Sequence, residues 1–246
     1  MIRLSVNVNK VATLRNSRGG AIPSVTEAVD ICLAAGAPGI TVHPRADERH
    51  IRRTDVLAIA AQLAAEKARG RAREFNIEGD PRPDLVDLVL AVRPDQCTLV
   101  PVVAGEITSQ AGWPPGTDLA PVVARLQAAG VRVSLFVDPV SEAVAWARQM
   151  RADRIELYTE PFARAFAAGP AEGGQRFDTY VAAARLAHSI GLGVNAGHDL
   201  DLENLTLFRT LPHLDEVSIG HAIFSRALWV GLETVVREYL AAVAGV

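Results

Sequence analysis

Residues 24–43, Ser24-Val25-Thr26-Glu27-Ala28-Val29-Asp30-Ile31-Cys32-Leu33-Ala34-Ala35-Gly36-Ala37-Pro38-Gly39-Ile40-Thr41-Val42-His43, decide the fold. Ser24 and Glu27, three apart, form a capping box at the head of an amphipathic stretch, 24–35. Gly36 stops that helix, because glycine takes the left-handed cap position without steric cost. A short β-branched run follows and ends in a histidine. The same order of helix end, glycine and apolar run returns at Ala128-Ala129-Gly130 before Val131, and at Ser189-Ile190-Gly191 before Val194. Each is an αβ turn leading into a strand.

Working outward, eight runs read as strands: 4–8, 39–43, 74–77, 97–100, 131–137, 154–158, 193–196 and 216–219. Most are short and rich in Val, Ile and Leu, as parallel strands buried on both faces should be. Helical patterns lie between them at 24–35, 54–69, 83–92, 119–129, 140–150, 178–190, 202–210 and 223–243. Eight βα units without a break in composition predict an α/β fold, a single (β/α)8 TIM barrel forming one catalytic domain over 1–246. The length of 246 residues sits near the roughly 250 typical of that barrel. A doubly wound open sheet is the alternative, but no G-x-G-x-x-G follows the first strand. Two long βα loops, 101–118 and 159–177, are expected to serve as lids or interface segments, or to carry extra helices. The second contains Gly169-Pro170-Ala171-Glu172-Gly173-Gly174.

Composition narrows the function classes. A net charge of −3 gives no electrostatic footprint for nucleic acid or anionic membrane. No apolar run approaches the roughly 18 residues of a membrane span, and the first residues lack signal-peptide character, so a cytoplasmic protein is expected. Cys32 and Cys97 lie in apolar runs and read as buried, reduced thiols. Lysine occurs only at Lys10 and Lys67, the latter in a polar helical stretch, so a protein Schiff base would have to use Lys10.

In a (β/α)8 barrel the chemistry sits at the C-terminal ends of the strands. Four of the six histidines, His43, His50, His198 and His221, fall at that rim; His188 lies in a helix and His213 in a loop. Histidine titrates nearest neutral pH, so His43 and His198 suit base and acid roles. Glu78, ending a buried strand, should have a raised pKa, which suits a general base; pairing with a rim arginine is its structural alternative. Gly197-His198 and Gly220-His221 occupy the usual phosphate corner, and the latter opens the last helix. Arg18 and Arg45 add planar positive charge suited to phosphate. The histidines have no helical metal-ligand spacing, so neither a metal nor a cofactor is expected.

The segments Val6-Asn7-Val8-Asn9-Lys10-Val11-Ala12-Thr13-Leu14-Arg15-Asn16-Ser17-Arg18-Gly19, Thr41-Val42-His43-Pro44-Arg45, Asn76-Ile77-Glu78, Ile155-Glu156-Leu157, Val194-Asn195-Ala196-Gly197-His198 and Ile219-Gly220-His221-Ala222-Ile223 resemble, in order, those of the pyridoxine 5'-phosphate synthase family. The resemblance covers essentially the whole chain. It implies a barrel enzyme that joins 1-deoxy-D-xylulose 5-phosphate to 3-amino-2-oxopropyl phosphate, giving pyridoxine 5'-phosphate, phosphate and water. It implies His43 and Glu78 as proton acceptors, His198 as proton donor and Glu156 as stabiliser of a charged transition state. Arg45, His50 and Thr108 would hold the xylulose substrate, together with the Asn9-Lys10 pair. Asn7, Arg18, Gly220 and His221 would hold the amino-ketone phosphate and the product phosphate. Self-association into homo-octamers is also implied. Two departures stand out: Asn9-Lys10 where many members carry Asp-His, and Asp199 where many carry glycine. A carboxylate facing the phosphate would repel it, so Asp199 is expected to point away.

Three other functions fit parts of the pattern. A Schiff-base aldolase would use Lys10. An isomerase or epimerase would turn over one sugar phosphate without an amine. A non-catalytic sugar-phosphate sensor would have no need of matched acids and bases.

Overall fold

The computed structural model describes residues 1–102 and 109–245. Eight parallel strands close in sequence order: β1 Arg3–Asn7, β2 Gly39–Val42, β3 Glu74–Gly79, β4 Gln96–Leu99, β5 Arg132–Val137, β6 Arg154–Tyr158, β7 Gly193–Gly197 and β8 Leu214–Ile219. The ring shuts where β8 pairs β1, with Arg3 opposite Glu216 and Val6 opposite Ile219. The closed ring settles the choice between barrel and open sheet. Strand ends differ from the sequence reading by one or two residues.

The helices are α1 Asn9–Asn16, α2 Val25–Ala34, α3 Arg53–Ala68, α4 Pro83–Val92, α5 Ala120–Ala128, α6 Ser141–Gln149, α7 Glu160–Ala168, α8 Pro170–Ser189, α9 Leu205–Phe208, α10 His221–Val230 and α11 Leu232–Ala244. The capping box at the head of α2 is half-formed as read: Ser24 Oγ accepts the Glu27 N–H at 3.2 Å. None of the described helices is long and apolar enough to cross a membrane.

Three stretches differ from the sequence reading. The segment 159–177 is not a loop; α7 and the first turns of α8 occupy it. Pro170 begins α8, where a missing N–H costs nothing. Gly173 sits inside α8 because α7 crosses there: a Cβ would lie 3.0 Å from Phe166 Cα. The stretch 223–243 is two helices, broken at Gly231 with φ +87°. The helix α1, immediately after β1, was not expected at all.

Alternation along each strand divides the core in two. One set of residues, including Leu4, Ile40, Ile77, Leu135, Ile155 and Val217, packs outward under the helices and is fully buried. The other set meets inside the barrel, and it is polar. Asn195 Nδ2 donates to Gln96 Oε1 at 3.2 Å across the interior, and Thr98 Oγ1 donates to Asn76 Oδ1 at 3.1 Å. Branched apolar layers usually fill such a barrel; here hydrogen bonds do.

The lower, N-terminal end of the interior is a network of charged and polar side chains. Arg3 Nη1 lies 2.7 Å from Glu74 Oε2, and Arg132 reaches the same carboxylate. Arg132 Nε donates to Gln96 Oε1 at 2.9 Å, and Arg154 Nη1 to Asn195 Oδ1 at 2.8 Å. His188 and His213 also lie towards this lower end, stacked on each other 3.7 Å apart.

Candidate active site

A cavity of about 320 Å³ opens at the C-terminal ends of the strands. All four rim histidines border it, as do Glu78 and Glu156. So do Asn7, Asn9, Lys10 and Arg45, and on the far side Asp199 and Gly220. One expected residue among those described is not brought there. Arg18 is exposed and is not among the residues lining the cavity, because α1 ends at Asn16 and the chain turns outward through Gly19, φ +68°. Arg15 turns inward instead. It grips Asp55 at 2.6 and 2.9 Å, and with Asn16 it donates to the His50 carbonyl, fixing the loop that carries that imidazole. Thr108 lies outside the described residues.

The two asparagines of β1 and its exit reach other site residues. Asn7 Nδ2 donates to Glu78 Oε2 at 3.3 Å, and Asn7 Oδ1 accepts the Asn9 N–H at 3.1 Å. Asn9 Oδ1 in turn accepts the His43 N–H at 2.9 Å. One polar chain thus ties the ends of β1, β2 and β3 together, an orienting role alongside the substrate contact expected of both residues. Arg82 completes the frame, donating to the Pro44 carbonyl at 2.6 Å.

Burial sets the proton affinities. His43 is pushed well below the usual histidine range by burial, helped by His50, Arg45, His198 and Arg82. His50 is lowered to about 4 by burial and the Arg45 charge. Its Nδ1 accepts the Ile51 N–H at 2.9 Å, so the neutral ring carries its proton on Nε2. His198 is lowered by burial, against the opposing pull of Asp199. The carboxyls move the other way. Burial and the Glu216 charge push Glu78 up to about 8. Burial and the Glu78 charge raise Glu156 well above its ordinary value.

Near neutral pH these shifts favour neutral imidazoles at His43, His50 and His198, which can accept protons, and protonated carboxyls at Glu78 and Glu156, which can donate them. His43 Nδ1 sits 3.9 Å from Glu78 Oε2, a contact between two neutral groups rather than an ion pair. His43 Nε2 is buried and has no hydrogen-bond partner among the described residues. Unsatisfied buried polar atoms are costly, and a cavity wall is where a ligand can satisfy them. Arg45, buried, and Lys10, half-buried, supply fixed positive charge.

The glycines of the phosphate corner have packing reasons as well. A Cβ on Gly197 would lie 2.7 Å from Glu156 Oε1, so glycine leaves room for that carboxyl. A Cβ on Gly220 would lie 2.8 Å from the Asn7 carbonyl oxygen. Gly220 precedes α10, and His221 and Ala222 of its first turn border the cavity. Asp199 borders the cavity, exposed, in the left-handed conformation at φ +52°.

Sequence reasoning missed Ser109 and Ser218 in the cavity wall, and Glu216 behind it. A period-two signal was present: Glu216, Ser218 and Gly220 alternate with Val217 and Ile219. Among the described residues no group of three or more His, Cys, Asp or Glu is placed to hold a metal ion.

Solved structures of similar shape share little sequence. A 3-keto-L-gulonate-6-phosphate decarboxylase from Vibrio cholerae aligns with TM-score 0.63 at 8% identity, over 99% of this chain and 98% of that one. An N-(5'-phosphoribosyl)anthranilate isomerase from Pyrococcus furiosus aligns with TM-score 0.60 at 11% identity, over the whole of both. These likenesses speak for the barrel alone. Sequence relatives are far nearer. A pyridoxine 5'-phosphate synthase from Bacteroides fragilis is 50% identical over 243 residues, 97% of this chain and 98% of that protein. One from Leptospira biflexa is 48% identical over 250 aligned positions, 98% and 96% of the two chains. The family described as "Pyridoxal phosphate biosynthesis protein PdxJ" matches residues 4–245. A closed barrel with its acid–base groups gathered at one mouth, matched along nearly its whole length, belongs to the PdxJ family of pyridoxal phosphate biosynthesis proteins.

Proposed function

We propose that this chain is a pyridoxine 5'-phosphate synthase working as one catalytic domain. It condenses 1-deoxy-D-xylulose 5-phosphate with 3-amino-2-oxopropyl phosphate to pyridoxine 5'-phosphate, inorganic phosphate and water. The observation that carries this reading is the split of proton affinities in one cavity: imidazoles lowered at His43 and His198, carboxyls raised at Glu78 and Glu156. Joining an amine to a ketone, expelling water and phosphate, and aromatising a ring all move protons near neutral pH, which calls for several acids and bases.

The substrate amine forms the imine, so no protein amine is needed. His43, neutral at rest, takes the first proton. Glu78 enters the cycle protonated; it gives its proton to the carbinolamine hydroxyl, which leaves as water when the imine forms. The cationic iminium then favours the carboxylate, and Glu78 serves as acceptor for a later step. His198 takes a proton from the substrate ammonium and returns it to a leaving oxygen as donor. Glu156 sits beside Gly197 at the end of β7 and stabilises developing positive charge once ionised. Arg45, His50 and Lys10 hold the xylulose phosphate from the β1 and β2 side. The N-terminus of α10, with Gly220 and His221, holds the second phosphate.

Self-association is part of the same proposal. Leu14, Leu228 and Trp229 are exposed, and beside them an apolar groove of about 550 Å³ runs between α1, α2 and α10. A second copy of the chain would cover this face within a homo-octamer, and light scattering on a sizing column gives the subunit number directly.

The test of function is a coupled assay with both substrates, following pyridoxine 5'-phosphate. Wild type should make it, and H43N and E78Q should not. Folded wild type that leaves both substrates unchanged would overturn the proposal.

A further inference from the structure

Thr159, at the junction of β6 and α7, is fully buried and does not line the cavity. Its place is the N-cap of α7. A threonine there ordinarily turns its oxygen back to accept an N–H of the first helical turn. This one makes no such bond. The second residue of the helix is Pro161, which has no N–H to offer, and the Phe162 N–H is taken by the Thr159 carbonyl at 3.0 Å. The hydroxyl is left to bond elsewhere. It donates across to β7, shared between the carbonyl oxygens of Gly197 and His198. The Thr159 N–H adds a third bond, to the Gly197 carbonyl at 3.3 Å.

The segment it grips needs holding. His198 and Asp199 are consecutive non-glycine residues in the left-handed region, φ +77° and +52°, a conformation uncommon for side-chain-bearing residues. Asn204, itself buried, holds the other side of the turn by donating to the Asp199 carbonyl at 2.9 Å. Between these two clamps the His198 ring is set against Phe136, centroids 4.9 Å apart, and edge-on to Tyr158 at 5.6 Å.

We infer that Thr159 is a positioning residue for catalysis, its hydroxyl fixing the left-handed turn that aims the His198 imidazole into the cavity. The inference rests on the proposed role of His198 as proton donor. Removing the hydroxyl lets the turn relax and the ring drift, which slows proton transfer without touching substrate binding.

The experiment compares T159S, T159V and T159C in pyridoxine 5'-phosphate formation, each also combined with H198N. T159S restores the donor and should stay within about twofold of wild type, whereas T159V should lose about ten- to a hundredfold in kcat with KM unchanged, the scale of a misplaced catalytic group. T159C keeps a weak donor of similar size and should fall between them, which preserves the test if T159V does not fold. In the H198N background the Thr159 changes should have no further effect, since the group they position is gone. Wild-type kcat in T159V, T159C equal to T159S, or an undiminished T159V loss on top of H198N would each overturn the inference. Wild-type turnover in H198N alone would instead remove the role of His198 on which it rests.

Discussion

The two ends of the barrel interior use the same kinds of residue and put them in opposite states. At the lower end, Glu74 is held by both Arg3 and Arg132, Arg132 also binds Gln96, and Arg154 binds Asn195. At the upper end, Glu78 has an asparagine at 3.3 Å and an uncharged histidine at 3.9 Å, and His43 keeps a buried nitrogen without a partner among the described residues. Charges that are paired hold strands in register. Glu216 lies between the two, 3.6 Å from Arg3 yet raised to about 8 by burial and the Glu74 charge. The upper-end groups, buried without a charged partner, have displaced proton affinities and are available for proton transfer. The strands carry this division in single alternations: Glu74, Asn76 and Glu78 on β3, and Glu216, Ser218 and Gly220 from β8 onward.

The contrast breaks most sharply if upper-end variants keep turning over. H43N should cost about a hundred- to ten-thousandfold in kcat, the usual contribution of a general base, measured in the two-substrate assay. At the lower end R132M should leave kcat per folded molecule unchanged. It should destabilise the fold by about 2 kcal/mol, between the values for exposed and buried pairs, read as a fall in urea midpoint.

Stability against pH sharpens the same contrast. The folded chain keeps the Glu78 proton up to about 8, whereas the unfolded chain releases it near the ordinary value of 4.5. Folding therefore takes up a proton between those limits, so the contribution of Glu78 to stability is full below about 4.5 and declines as pH rises through about 8. E78Q removes that decline and should gain on wild type steadily from pH 5 to pH 8 in urea denaturation. The smallest effect should come from E216Q. The Glu216 charge is the second cause of the raised Glu78 pKa. If Glu78 acts as acceptor, kcat/KM rises with pH through about 8 in wild type, and E216Q should shift that limb to lower pH.

The barrel was legible because its apolar strand faces and its helix-ending glycines repeat at short range. All four rim histidines, Glu78 and Glu156 were legible for a topological reason: strand ends of a closed barrel converge on one mouth. What sequence could not reveal depends on contacts between distant segments. Gly169-Pro170-Ala171-Glu172-Gly173-Gly174 reads as a loop until α7 is seen lying against Gly173. Asn9 reads only as a substrate contact, and the bond from the His43 N–H to its side-chain oxygen adds an orienting role that sequence does not show. Arg15 and Arg18 look alike in a Gly-flanked basic stretch, yet Asp55, forty residues on, takes the first inward and leaves the second exposed. Thr159 gives no signal at all, since its partners are the carbonyls of another strand.

The most direct test sets E78Q beside R132M, measuring both pyridoxine 5'-phosphate turnover and the urea midpoint at pH 8. The two should cross: E78Q loses turnover and keeps or gains stability, and R132M loses stability and keeps turnover. E78Q turning over at the wild-type rate, or R132M inactive while fully folded, would contradict the division of the barrel into a structural end and a catalytic one.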